Sequence, residues 1–177
     1  MKTSPYIEIP DYPKMFNVGT VLSRMIDGLG FRYHWATEGL SAENLEFKPE
    51  QSCRNTMETL NHIQNVLVMV NNIFSDTRFI MPEVDYALDF EELREKSLAL
   101  ISEISNNLKS KTDDDLQSMQ IKFNVGGQDL DFPFWHVVNG PISDAIYHTG
   151  QIVALRRASE NPIDTHVNPF MGKRMAA

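Results

Sequence analysis

Residues 55–74, NTMETLNHIQNVLVMVNNIF, combine a helix start with an unbroken helical stripe. The Asn55 side chain can accept from the backbone N–H of Glu58, and the Glu58 carboxylate can reach back to the cap. Leu60, Ile63, Val66, Leu67, Val70 and Ile73 then recur at steps of three and four, which is one face of an α-helix. Three more stretches show the same period. Residues 16–38 carry Val18, Leu22, Met25, Leu29, Tyr33 and Ala36, although Gly28 and Gly30 each cost about 1 kcal/mol against alanine in a helix. Residues 89–109 open on Asp89-Phe90-Glu91-Glu92, a second capping pattern, and continue through Leu93, Leu100, Ile104 and Leu108. Residues 141–158 begin at Pro141, which suits the first position of a helix, and stop before Asn161-Pro162.

The segments between them read as connections. Residues 40–52 and 75–88 are polar and contain prolines, and 111–115 is charged and solvated. Residues 120–134 change character: Ile121, Phe123 and Val125 alternate, Gly126-Gly127 supplies a turn, and Leu130 and Phe132 alternate again. A turn or two of helix follows over 134–139 until Gly140-Pro141 interrupts it. Residues 1–14, with Pro5, Pro10 and Pro13, form an extended arm, and residues 162–177 form a tail. The expectation is an all-α domain, a four-helix bundle with its core in 16–158 and a small β-hairpin in the connection between the third and fourth helices.

At 177 residues the chain is the size of one domain. Its 24 acidic residues outnumber 16 lysines and arginines, a net charge of −8, which repels phosphate backbones and anionic lipid surfaces. Neither nucleic acid nor membrane is an expected partner. A single cysteine, Cys53, rules out an intrachain disulfide and a cysteine-rich zinc site. It reads as a spectator thiol. There is no apolar stretch of signal-peptide length and no run near the roughly 18 apolar residues of a membrane span, so a soluble cytoplasmic protein is expected.

The histidines locate the chemistry. Helix phase puts His34 away from the apolar face of its helix, hence at the surface, and His166 lies in the polar tail. His136 packs beneath the hairpin or orients a ligand from outside the first coordination sphere. Arg156-Arg157 suits the dipole at the end of the last helix. His62 and His148 sit at the margins of their helices' apolar faces, and Asp144 precedes His148 by one turn on the same face. An i, i+4 carboxylate–imidazole pair can grip one ion, with His62 of another helix as third ligand. Zinc and iron(II) both take such sets with open positions, and nickel and manganese are further candidates. The open position would hold water acidified to hydroxide, the nucleophile of a hydrolysis. The bland alternative is an ordinary Asp–His charge pair beside a satisfied core histidine.

Asn55 to Ile63, Trp35-Ala36-Thr37-Glu38-Gly39-Leu40 and the run Trp135 to Ile152, above all His148-Thr149-Gly150-Gln151, resemble the DinB-like superfamily of metal-dependent enzymes over residues 16–158. The resemblance implies a four-helix bundle, a homodimer through helix faces, and a divalent metal held by one His of helix two and a His-x-x-x-His pair of helix four. Those ligands map to His62, Asp144 and His148. Asp144 departs from the family's histidine and shifts the preference from nickel and zinc toward iron(II) or manganese. The activities implied act on small molecules: metal-dependent hydrolysis first, then S-transfer using a thiol such as bacillithiol or mycothiol. The competing class is a non-enzymatic, stress-related binding bundle. No general base can be named from sequence.

Overall fold

The computed structural model describes residues 5–176. The first residues of the arm and Ala177, the end of the tail, lie outside the described residues. The helices are α1 (Val18–Thr37), α2 (Ala42–Glu46), α3 (Thr56–Asn72), α4 (Phe90–Lys109), α5 (Asp113–Ser118), α6 (Trp135–Val137) and α7 (Ser143–Ala158). A π-helical segment, Val138–Ile142, joins α6 to α7, and Gly140 within it has non-helical φ −93° and ψ −108°. The strands are β1 (Phe79–Met81), β2 (Gln120–Val125), β3 (Gln128–Pro133), β4 (Val167–Asn168) and β5 (Lys173–Arg174). The architecture is mainly helical with a small sheet.

The caps form as their chemistry dictates. Asn55 Oδ1 accepts from Glu58 N at 2.7 Å, and Glu58 Oε2 accepts from Asn55 N at 2.7 Å. Asp89 accepts from Glu92 N at 2.9 Å. Asn17 and Thr20 make a comparable box at the start of α1. Of the long helices, α1 packs against α4 and α7, and α3 packs against the same two. Between them lies one apolar core that includes Leu22, Ile26, Leu29 and Tyr33 of α1, Leu60, Ile63 and Leu67 of α3, Leu93, Ile101 and Ile104 of α4, and Ile152 of α7.

Several expectations are corrected. Val18 and Met25 are 46% and 40% exposed, and Ile26 takes the buried position, because α4 and α7 pack on a rotated face of α1. His34 is buried, not superficial: Arg94 reaches across from α4, with Nη2 3.2 Å from His34 Nδ1, so the covered surface of α1 is wider than one apolar stripe. The solvated 111–115 segment opens α5, which Thr112 caps and whose Leu116 is buried. The hairpin lies where expected, with Gly126 and Gly127 at φ +60° and +87°, a pair of left-handed positions that glycine fills without strain. It also gains a third strand: β1, from the 75–88 connection, pairs in parallel with β2, Phe79 opposite Phe123.

The arm is a packed element. Tyr6 is 2% exposed, lies over Gly30 and donates to Asp27 Oδ1 at 3.1 Å. A Cβ on Gly30 would stand 2.6 Å from the Tyr6 ring, so the glycine that weakens the helix makes room for the arm. Asp27, itself buried, also receives Ser105 at 2.6 Å and Lys109 at 3.1 Å. Arg156 does more than complement a dipole. Its buried guanidinium donates to the carbonyls of Trp35 (2.8 Å), Ala36 (3.0 Å) and Asn161 (2.6 Å), tying the end of α7 to the end of α1. Among the described residues no helix is long and apolar enough to cross a membrane.

Candidate metal centre

His62 stands in the second turn of α3, and Asp144 and His148 stand one turn apart on α7. The packing of α3 on α7 brings them together: His62 Nε2 is 3.2 Å from Asp144 Oδ2, and His148 Nε2 is 3.3 Å from Asp144 Oδ1. The two imidazole rings meet edge-on, centroids 4.4 Å apart. One donor atom from each residue can be chosen so that all lie within 4.8 Å of one another. The histidine side chains are 11% and 12% exposed and the Asp144 side chain 42%, so the group opens to solvent on the carboxylate side.

The far ring nitrogens fix the protons. His62 Nδ1 lies 2.7 Å from Glu83 Oε1 and 2.8 Å from Oε2. A carboxylate only accepts, so Nδ1 donates to Glu83, and the opposite ring nitrogen, Nε2, faces the Asp144 carboxylate. His148 Nδ1 donates to Gln151 Oε1 at 2.7 Å, which directs the second Nε2 to the same carboxylate. Two Nε2 atoms thus face one anionic carboxylate. That arrangement calls for positive charge, as added protons or as a metal ion. Donor atoms about 2.0–2.2 Å from a single ion stand about 2.8–3.6 Å apart at octahedral or tetrahedral angles, and the two nitrogen–oxygen distances, 3.2 Å to Oδ2 and 3.3 Å to Oδ1, fall in that range. The set can hold a metal ion.

Glu83 is the residue of the candidate site that sequence reading missed, because it lies in a segment taken only for a connection. α3 positions it. Buried Asn65 donates to Val84 O at 2.8 Å and accepts from Val84 N at 3.0 Å, while Asn61 donates to Val84 O at 3.0 Å and accepts from Tyr86 N at 3.3 Å. The helix that presents His62 thus also carries the clamp for the loop that orients it. The signal was available: Asn61 and Asn65, one turn apart around His62, are polar side chains inside a helix that need partners.

A cavity of about 410 Å³ opens beside the group, lined by apolar Val66, Met69 and Pro141 and by Glu83, Asp144 and Tyr147. The π-helical break at Gly140-Pro141 forms part of its lining. The other candidates stand elsewhere. His136 is exposed, its ring 5.1 Å from that of Phe132 on the hairpin. His166 pairs with Asp164 at 2.8 Å in the tail. Cys53 is exposed; its backbone N–H donates to Glu50 O at 3.1 Å, and its thiol makes no hydrogen bond among the described residues. Burial, then the Arg94 charge, hold the His34 imidazole below its ordinary pKa.

No protein-family model, curated protein or solved structure matches the chain.

Proposed function

We propose that this protein is a metal-dependent enzyme of the DinB-like type, a four-helix bundle that holds a divalent cation through His62, Asp144 and His148 and acts on a small molecule in the adjoining cavity. The observation that carries the reading is the outward commitment of both Nδ1 atoms, to Glu83 and Gln151, which leaves both Nε2 atoms converging on Asp144. An ordinary charge pair does not call for a second histidine with its other nitrogen pinned by a carboxylate.

A bound divalent ion supplies Lewis acidity to water or to a polarised substrate atom. The chain supplies the rest. Glu83 and Gln151 hold the two rings in the tautomer that coordinates. Asp144 adds a hard, anionic donor, which favours iron(II) or manganese over nickel. Val66, Met69 and Pro141 limit water on one side of the cavity, and exposed Tyr147 also lines it. Hydrolysis of a small electrophile is the first assignment and thiol-dependent S-transfer the second. They differ in whether turnover needs an added thiol.

Metal analysis of protein purified without chelator tests the reading. The expected content is about one ion per chain, lost in both His62→Ala and His148→Ala. Retention of full metal by either variant shows the ligand set to be wrong. Wild-type protein that binds no divalent ion assigns the convergence to protons and the chain to a non-enzymatic bundle.

A further inference from the structure

A second cavity, about 430 Å³, reaches the same group from another side, with His148 and Gln151 in its wall. It shares no lining residue with the cavity beside Glu83 and Asp144. Their charges are opposite. The first cavity is lined by two carboxylates and no lysine or arginine, and the second by Arg54 and no carboxylate.

We propose that this second cavity binds a small organic carboxylate, with its anionic head on Arg54 and Gln151 and its apolar body on Pro49, Ala154 and Leu155. On a chain of net charge −8 several basic side chains are paired with acids: Lys48 with Glu58, Arg78 with Asp131, Arg94 with Glu38, Arg174 with Asp164. Arg54 makes no hydrogen bond or ion pair among the described residues. Its neighbour in charge, Glu58, is already occupied by Lys48 and by the backbone N–H of Asn55. Gln151 uses its oxygen to accept from His148, which leaves its amide N–H groups as donors with no protein acceptor. A guanidinium and an amide, both donors, above an apolar floor select a ligand that accepts hydrogen bonds and carries negative charge. The volume falls in the range that holds small organic ligands.

The proposal does not depend on a metal, so the test starts with chelator-treated protein from which the chelator has been removed. Benzoate is the probe, and benzyl alcohol is its uncharged counterpart of similar size. Titration followed by amide NMR shifts is expected to show benzoate binding, with the largest changes at Arg54, Thr59 and Gln151. Benzyl alcohol is expected to bind at least about fivefold more weakly. Arg54→Gln, a change at an exposed side chain that bonds nothing in the protein, should weaken benzoate at least about fivefold and leave the alcohol unaffected. Equal binding of the two probes, or benzoate binding indifferent to Arg54→Gln, overturns the proposal. Benzoate that binds only to metal-loaded protein is sitting on the ion, which overturns this proposal and leaves the metal reading standing. Benzoate binding to a protein that takes up no divalent ion refutes the metal reading alone.

Discussion

Replacing Glu83 by glutamine isolates the outer support of the metal group. The side chain keeps its shape and one oxygen that can accept from His62 Nδ1, but it loses the charge and the second acceptor. Both carboxylate oxygens now lie within 2.8 Å of that nitrogen. A hydrogen bond to a charged group contributes about 1.5–3 kcal/mol against about 1 kcal/mol for a neutral one. Glu83 is 27% exposed on its side chain, so solvent screens part of the difference. The loss expected on the metal is therefore about 1–1.5 kcal/mol, a five- to tenfold weaker Kd at 1.4 kcal/mol per tenfold. That sits at the low end of the effect of outer hydrogen-bond partners. Competition against a chromophoric chelator, with manganese or zinc at neutral pH, measures it. Stabilities of the metal-free proteins in denaturant should differ by no more than about 1–1.5 kcal/mol, because Asn61 and Asn65 still anchor the loop. Asn65→Ala should instead lower both stability and metal affinity, since it strands the Val84 N–H and leaves Val84 O to Asn61 alone. A Kd for Glu83→Gln within twofold of wild type would refute the argument that Glu83 fixes the coordinating tautomer.

Gly30→Ala drives a methyl into the Tyr6 ring and should cost about 1–3 kcal/mol, with faster proteolysis of the arm. Unchanged denaturation and unchanged cleavage would mean that Tyr6 is not the anchor. Arg156→Lys cannot serve the carbonyls of Trp35, Ala36 and Asn161 together and should lower stability by about 2–4 kcal/mol in urea melts; a loss below about 0.5 kcal/mol contradicts the tie described above. His34 gives a pH dependence. Its folded pKa lies below the ordinary 6.5, so the unfolded chain takes the proton first, and stability falls as pH drops from about 6.5 toward the folded value. His34→Gln should flatten that arm of the stability–pH profile, and an unaltered slope would assign the acid sensitivity to other groups.

Taken alone, the amino-acid order determined the long helices, their caps at Asn55 and Asp89, the Gly126-Gly127 hairpin and the pairing of Asp144 with His148. These are set by contacts within a few residues of one another, through backbone hydrogen bonds and the helical period. Nomination of His62 as third donor also came from the order of residues, but its arrival 3.2 Å from Asp144 required α3 to pack on α7. Tertiary structure alone decided the rest: Glu83 on His62, Arg94 over His34, Tyr6 on Gly30, Arg156 across two helix ends, and β1 beside β2. Each joins segments distant in the chain, the strands through backbone bonds and the others through a side chain whose type is compatible with exposure. Charge and periodicity carry no record of such a partner until the core has fixed where the surfaces meet.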